Sequence, residues 1–260
     1  MISAPLRVAL ALVCCLAPAA AQAQGGAFRV DDAAVGDPGA SQLETLAGAS
    51  LNRSRERVFS ARLGHTLALF PALQLSLGVE RDGSARGEET ERGKRRFWGT
   101  TLAPEAKLRL LDLDGHGRLG LAAKAGLGWR SSLHRARAED DDEAAPFRRL
   151  ETVFGLGIAT IRLTETVTVN VNGGIERDRI DRRTAPLWGV GTAWRAVADS
   201  PIGSTTLIAE VSGSDRGRSA VQAGLRQTLF EERLDLDLVL GRNLSDERAT
   251  WLVGAIAVRF

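Results

Sequence analysis

The side chains best equipped for chemistry are few and scattered. The histidines are His65, His116 and His134, and the two cysteines, Cys14 and Cys15, sit together near the start of the chain. Nucleophilic catalysis needs a hydroxyl or thiol within reach of a base that a third group orients. Ser60 and Thr66 flank His65, but in an alternating strand both would point one way and the imidazole the other. His116 falls in an Asp/Gly-rich turn and His134 in a long charged loop, neither beside a compact Ser/His motif. No catalytic residue is assigned, no metal centre and no cofactor, and an enzyme is not the expectation. The acidic run at 139–143 could hold a divalent cation but reads as a solvated loop. The basic patch Arg92, Lys94, Arg95 and Arg96 could meet phosphate groups. Glycines such as Gly120, Gly126 and Gly128 read as room for neighbouring side chains, because no helix follows them to make a phosphate loop.

What remains is electrostatic. Glu105, Lys107 and Arg109 stand on alternate residues of one segment, so their shared face must be wet or mutually paired. The same register elsewhere collects Glu44, Arg62, Glu80, Lys124, Glu151, Glu176, Glu210, Arg226, Asp235 and Asp237. Charges of both signs would line a narrow polar path or form a network of ion pairs that stiffens and closes it.

The elements that must present these charges are strands. After 24–41 the chain divides into about twelve segments of roughly ten residues, with apolar side chains at every second position. They span 42–52, 57–70, 73–80, 97–111, 118–130, 150–161, 167–176, 187–197, 204–212, 219–230, 234–242 and 249–260. In 73–80, Leu73, Leu75, Leu77 and Val79 oppose Gln74, Ser76, Gly78 and Glu80. In 150–161 the apolar face is expected on Leu150, Thr152, Phe154, Leu156 and Ile158. Connections near Pro71, Asp114, Glu165, Pro201 and Glu232 are short; those between them are longer and more charged. Aromatic residues gather at segment ends. Trp98, Trp129, Phe147 and Trp188 lie near the long connections, and Phe70, Trp194, Phe230 and Phe260 at the opposite ends, as two bilayer interfaces select. The expected fold is all-β, a transmembrane antiparallel up-and-down β-barrel over 42–260. A secreted sandwich would also alternate, but would not keep this two-sided rhythm.

Residues 1–23 carry Arg7, an apolar run and then Ala21-Gln22-Ala23, the order of a cleaved signal peptide; 24–41 would follow as a periplasmic lead-in. The rest of the chain lacks cysteine, so disulfides and thiolate metal sites are not expected in it. The formal charge of the whole is +2, which gives no argument for nucleic acid.

Two resemblances add to this reading. The segment TWLVGAIAVRF, ending at Phe260, resembles the closing strand of bacterial outer-membrane barrels, in which the final Phe is read by the barrel assembly machinery. The lead-in Phe28-x-x-Asp31-Asp32-Ala33, then Pro38-Gly39 and Leu43-Glu44, resembles outer-membrane proteins described as transporters or as related to the meta-pathway of phenol degradation. Together they imply an outer-membrane location, lipid and lipopolysaccharide as surroundings, and a passive channel or transporter for a small solute. The alternative is a structural or adhesive barrel with a closed lumen and surface-contact loops.

Overall fold

In the computed structural model of the chain, the residues described are 27–51, 57–85, 96–115, 117–134, 147–180, 182–200, 202–214, 219–244 and 249–260. The expected signal segment at 1–23, the acidic run at 139–143, His116 and most of the basic patch lie outside them, as do the side chains of Arg96, Trp98, His134 and Phe147.

The described residues form twelve antiparallel strands in a single closed barrel, each paired with its neighbours in sequence and the last with the first. The strands are β1 (Ser41–Leu51), β2 (Arg57–Phe70), β3 (Leu73–Ala85), β4 (Arg96–Leu111), β5 (Leu119–His134) and β6 (Phe147–Arg162). They continue as β7 (Val167–Asp178), β8 (Arg183–Ser200), β9 (Gly203–Ser214), β10 (Ala220–Leu229), β11 (Leu234–Asn243) and β12 (Thr250–Arg259). Closure matters because an unpaired backbone amide in hydrocarbon costs several kcal/mol, and a cylinder leaves no edge. The seam is a continuous β1–β12 ladder from Gln42↔Arg259 to Leu51↔Thr250. Ser41 and Phe260 extend it by exchanging backbone hydrogen bonds of 2.9 Å in both directions.

Alternation sorts the side chains as a bilayer requires. Leu63, Leu75, Leu77, Leu102, Leu108, Val190, Leu207, Leu238 and Leu252 are exposed on the outside, whereas Lys107, Glu210, Arg226, Asp235 and Asp237 are buried within. Phe70, Phe230 and Phe260 are exposed at strand ends and Phe59 near the long-connection end of β2, whereas Trp129, Trp188 and Trp194, expected at strand ends, are exposed five or six residues inside β5 and β8 because those strands run past the apolar band. The short turns β2–β3, β4–β5, β6–β7, β8–β9 and β10–β11 share one rim with the start of β1 and the end of β12. In the β8–β9 turn Gly203 is obligatory: its φ is +101°, and a Cβ there would sit 1.8 Å from the Thr228 carbonyl oxygen.

Several strands run beyond the sequence expectation at the rim of the long connections. β3 reaches Ala85, β5 reaches His134, and β8 begins at Arg183. Ladder hydrogen bonds need only a partner strand, so pairing outlasts the apolar pattern that marks the bilayer.

The expectation for β6 is overturned. Phe154, Leu156 and Ile158 face the lumen: Phe154 lies over Gly126, and Leu156 packs with buried Ile158, Ala122 and Ala33. The cause is a bulge. Trp129 pairs with Leu150 but Gly128 pairs with Thr152, which leaves Glu151 as an extra residue. A bulge puts two residues opposite one, so the alternation changes hand on passing it. Glu151 therefore points inward, 3.8 Å from Arg130, and so do Thr152, Phe154 and Ile158 below it.

Candidate functional site: a strap inside the barrel

Residues 27–35, expected as a periplasmic lead-in, run inside the cylinder as an extended strap. It enters at the short-turn rim, where the Gly39 amide donates to the Ala68 carbonyl and the Ala40 amide to that of Asp37. Moving back along the chain, Ala33 meets β5 and β6 near that rim, Asp31 meets the middle of β4, β5 and β7, and Arg29 reaches Trp251, the second residue of β12 at the opposite rim. The strap thus climbs most of the lumen.

Its backbone is held by wall side chains. The Arg29 and Val30 amides donate to the two oxygens of Glu210, at 2.9 and 3.2 Å. Asn172 accepts from the Asp31 amide at 2.7 Å and donates to the Asp31 carbonyl at 2.9 Å, a pairing that imitates a neighbouring strand. The Ala33 amide donates to Thr160, which donates in turn to Asn170. Buried amides demand such partners, and here side chains supply what a sheet would otherwise give.

Charge anchors the strap's two acidic residues. Lys124 Nζ is 2.8 Å from Asp31 and 2.9 Å from Glu105. Lys107 Nζ, on a residue only 4% exposed, stands 3.8 Å from Asp31 and 3.3 Å from Asp32. Arg62 approaches Glu105 at 3.6 Å. Shape completes the seat. Val30 fits a notch at Gly189 and Gly191 of β8, where an added Cβ would stand 2.9 Å from its Cγ2 and 3.3 Å from its Cβ. Arg29 stacks over Trp251 at 4.4 Å and Arg226 over Phe28 at 5.6 Å, both cation–π geometries.

The sequence-selected lumen residues divide among three places. Arg62, Glu105, Lys107, Lys124 and Glu210 build the strap's seat. Arg226, Asp235 and Asp237 form a second, buried cluster. The Arg226 guanidinium donates to both oxygens of Asp237, at 2.7 and 2.8 Å, and Asp235 also accepts from Thr228 and Arg259. Arg259 continues to Gln42 on β1, so the network crosses the seam. Arg109 lies at the short-turn rim with Asp112, and Glu151 with Arg130 towards the other. Glu44, Glu80 and Glu176 occupy the inward register of their strands, Glu80 opposite Arg62 and Glu176 opposite Phe154.

Gln222 donates to Glu210 at 2.7 Å and accepts from Trp251, and like Asn172, Thr160 and Trp251 it carries no charge to mark it in the sequence. Asn170 and Asn172 opposite a valine row on β7, and paired glycines on β8, are the signals that mark a wall receiving backbone. Outside the barrel, His65 Nε2 is 2.7 Å from Ser41 Oγ, and neither Ser60 nor Thr66 is its partner; Thr66 bonds Ser76. Among the described residues no group of three or more His, Cys, Asp or Glu side chains is placed to hold a metal ion.

Beneath the strap a cavity of about 530 Å³ opens at the short-turn rim, roofed by Asp32–Val35 and walled by Arg109, Thr160, Asn170, Arg195 and Thr206.

A closed twelve-stranded barrel with an apolar outside, aromatic ends and a charged inside is the fold of a Gram-negative outer-membrane β-barrel. The chain belongs to the family described as uncharacterised conserved protein UCP029691, whose model matches residues 11–260. Among solved structures it is similar to the translocator domain of the autotransporter NalP from Neisseria meningitidis, with 12% identity, TM-score 0.53, and coverage of 87% of this chain and 89% of that one. It is also similar to the COG4313 outer membrane channel from Pseudomonas putida F1, with 16% identity, TM-score 0.52, and coverage of 90% and 97%. The β domain of the Bordetella autotransporter BrkA matches at 14% identity and TM-score 0.53, with coverage of 86% and 100%. No curated protein matches the chain in sequence.

Proposed function

We propose that the protein is a passive outer-membrane channel for a small polar solute, with the strap as a removable occupant of its lumen. The observation that carries this reading is how the strap is held. It joins no ladder, and its contacts are side-chain hydrogen bonds and ion pairs that water or a solute can replace. The cavity beneath it is already open to the short-turn rim. Twelve strands enclose less space than the 16 to 18 of a water-filled porin, so a single small molecule is the cargo that suits the width. Similarity to a barrel named as an outer membrane channel supports the reading, and the Phe28-x-x-Asp31-Asp32-Ala33 lead-in resembles that of the meta-pathway phenol-degradation group. Phe260 is the residue offered to the assembly machinery. No catalytic role is assigned to Ser41 or His65, and His65→Ala is expected to leave lipid hydrolysis at background.

Reconstitution in planar bilayers tests the proposal: steady ion current above background supports a channel. A protein that is folded by its heat-shifted gel mobility yet electrically silent, with and without residues 27–35, favours the second reading. In that reading the strap is a permanent plug and the barrel a structural or adhesive one.

A further inference from the structure

We propose that the strap's seat is the solute site, and that the solute is a small dicarboxylate whose two carboxylates take the places of those of Asp31 and Asp32. The inference rests on the channel reading and adds the chemical class of the cargo.

Three observations lead to it. First, Lys107 stands between two carboxylates of adjacent residues, 3.3 Å from one and 3.8 Å from the other, while Lys124 holds the far oxygen of Asp31 at 2.8 Å. Two ammonium groups arranged around two neighbouring carboxylates form a cradle for a diacid. Second, the cradle cannot be vacated cheaply. With the strap in place Lys107 is 4% exposed; withdrawing the strap removes both of these counter-ions and leaves only water in their stead, whereas Lys124 keeps Glu105. An anion arriving as the strap leaves removes that penalty; a neutral or cationic solute does not. Third, the route is built. The cavity at the short-turn rim touches Asp32, and Arg109 and Arg195 line its wall, so an anion entering there meets guanidinium groups before it meets the lysines. The mouth also carries the acidic groups Asp37, Asp112, Asp114, Glu165 and Glu232; Asp112 and Asp114 are engaged with Arg109 and Arg162, which leaves Arg195 as the guanidinium on that wall without a carboxylate at salt-bridge distance among the described residues. The neutral groups Thr160 and Asn172, now spent on strap backbone, are free to bind the middle of a diacid once the strap has gone, with Asn170 holding the Thr160 hydroxyl in place.

The experiment uses the full chain, with succinate as probe and acetate as control. In the wild-type protein, millimolar succinate should speed hydrogen exchange of the Asp31 and Ala33 amides at least tenfold, and acetate at the same ionic strength should not. In the variant Asp31→Asn/Asp32→Asn, which keeps the strap's shape and removes its charge, titration calorimetry should show succinate binding at least ten times tighter than acetate. Adding Lys107→Gln should abolish that preference while gel mobility shows an intact barrel. Equal effects of the two acids in both measurements overturn the inference even if the protein conducts potassium chloride. Selective binding of succinate by a barrel that carries no current leaves the diacid site standing and removes the channel. The two proposals therefore fail separately.

Discussion

At the scale of single residues, this lumen binds backbone as well as charge. Asn172 contributes two hydrogen bonds to one strap residue and none to a strand ladder by its side chain. A net worth of about 0.5–1.5 kcal/mol for each of the two bonds, about 1–3 kcal/mol together, gives Asn172→Ala a rise of roughly five- to 150-fold in the population of released strap. The expected readout is faster exchange of the Asp31 amide with an unchanged barrel unfolding midpoint; if both move together, the strap is part of the barrel's cooperative core. None of this was legible from Asn172 alone, because an asparagine on a wet face is ordinary. Asp31 and Asp32 were conspicuous as a pair, but their partners lie some 75 to 93 residues away in sequence. Nothing local distinguishes a carboxylate bathed in periplasm from one gripped by a buried lysine.

At the scale of elements, alternation decided most strands and failed where the chain inserts a residue. β6 shows why: hydrophobicity there marks contact with apolar neighbours, and Leu156 and Ile158 find theirs in Ala33 and Ala122 inside the barrel, not in lipid. The β10–β11 turn carries a different burden. Phe230, Glu231 and Glu232 all adopt left-handed backbone, with φ of 53°, 54° and 70°. A non-glycine residue in that region costs about 1 kcal/mol or more. Glu232→Gly is therefore expected to raise barrel stability by about 1 kcal/mol in a urea titration, since the Glu232 carbonyl that accepts from Arg259 is retained. On the outer face Leu63, 54% exposed between Thr45 and Val79, meets lipid. Leu63→Arg should cost about 2–4 kcal/mol when the protein is unfolded from vesicles. A change within about 0.5 kcal/mol, the usual effect of a surface substitution in water, would count against the membrane assignment of this face.

At the scale of the whole molecule, two devices close the cylinder: the β1–β12 ladder outside and the Asp237–Arg226–Asp235–Arg259–Gln42 chain within. The inner chain joins β10, β11, β12 and β1 through groups almost fully withdrawn from solvent, Asp235 at 2% exposure. Removing one member of a buried ionic network strands the others, at about 3–5 kcal/mol. Asp235→Leu should accordingly lower the unfolding midpoint by that much and slow closure during refolding into detergent; a neutral outcome would assign the seam to the ladder alone. The sequence by itself determined the strand number, the sorting of apolar and charged faces and the positions of the short turns. Each of these follows from a local period of two and from where the chain can reverse. It also singled out the inward charges, because a charge in that register has nowhere else to go. Only the tertiary structure decided that residues 27–35 thread the lumen, that the β6 face is reversed below Glu151, and which lysine meets which carboxylate. Those outcomes depend on ring closure: twelve strands bring β4, β5, β7, β8 and β9 around one axis, and their shared space exists only once the first strand has met the last.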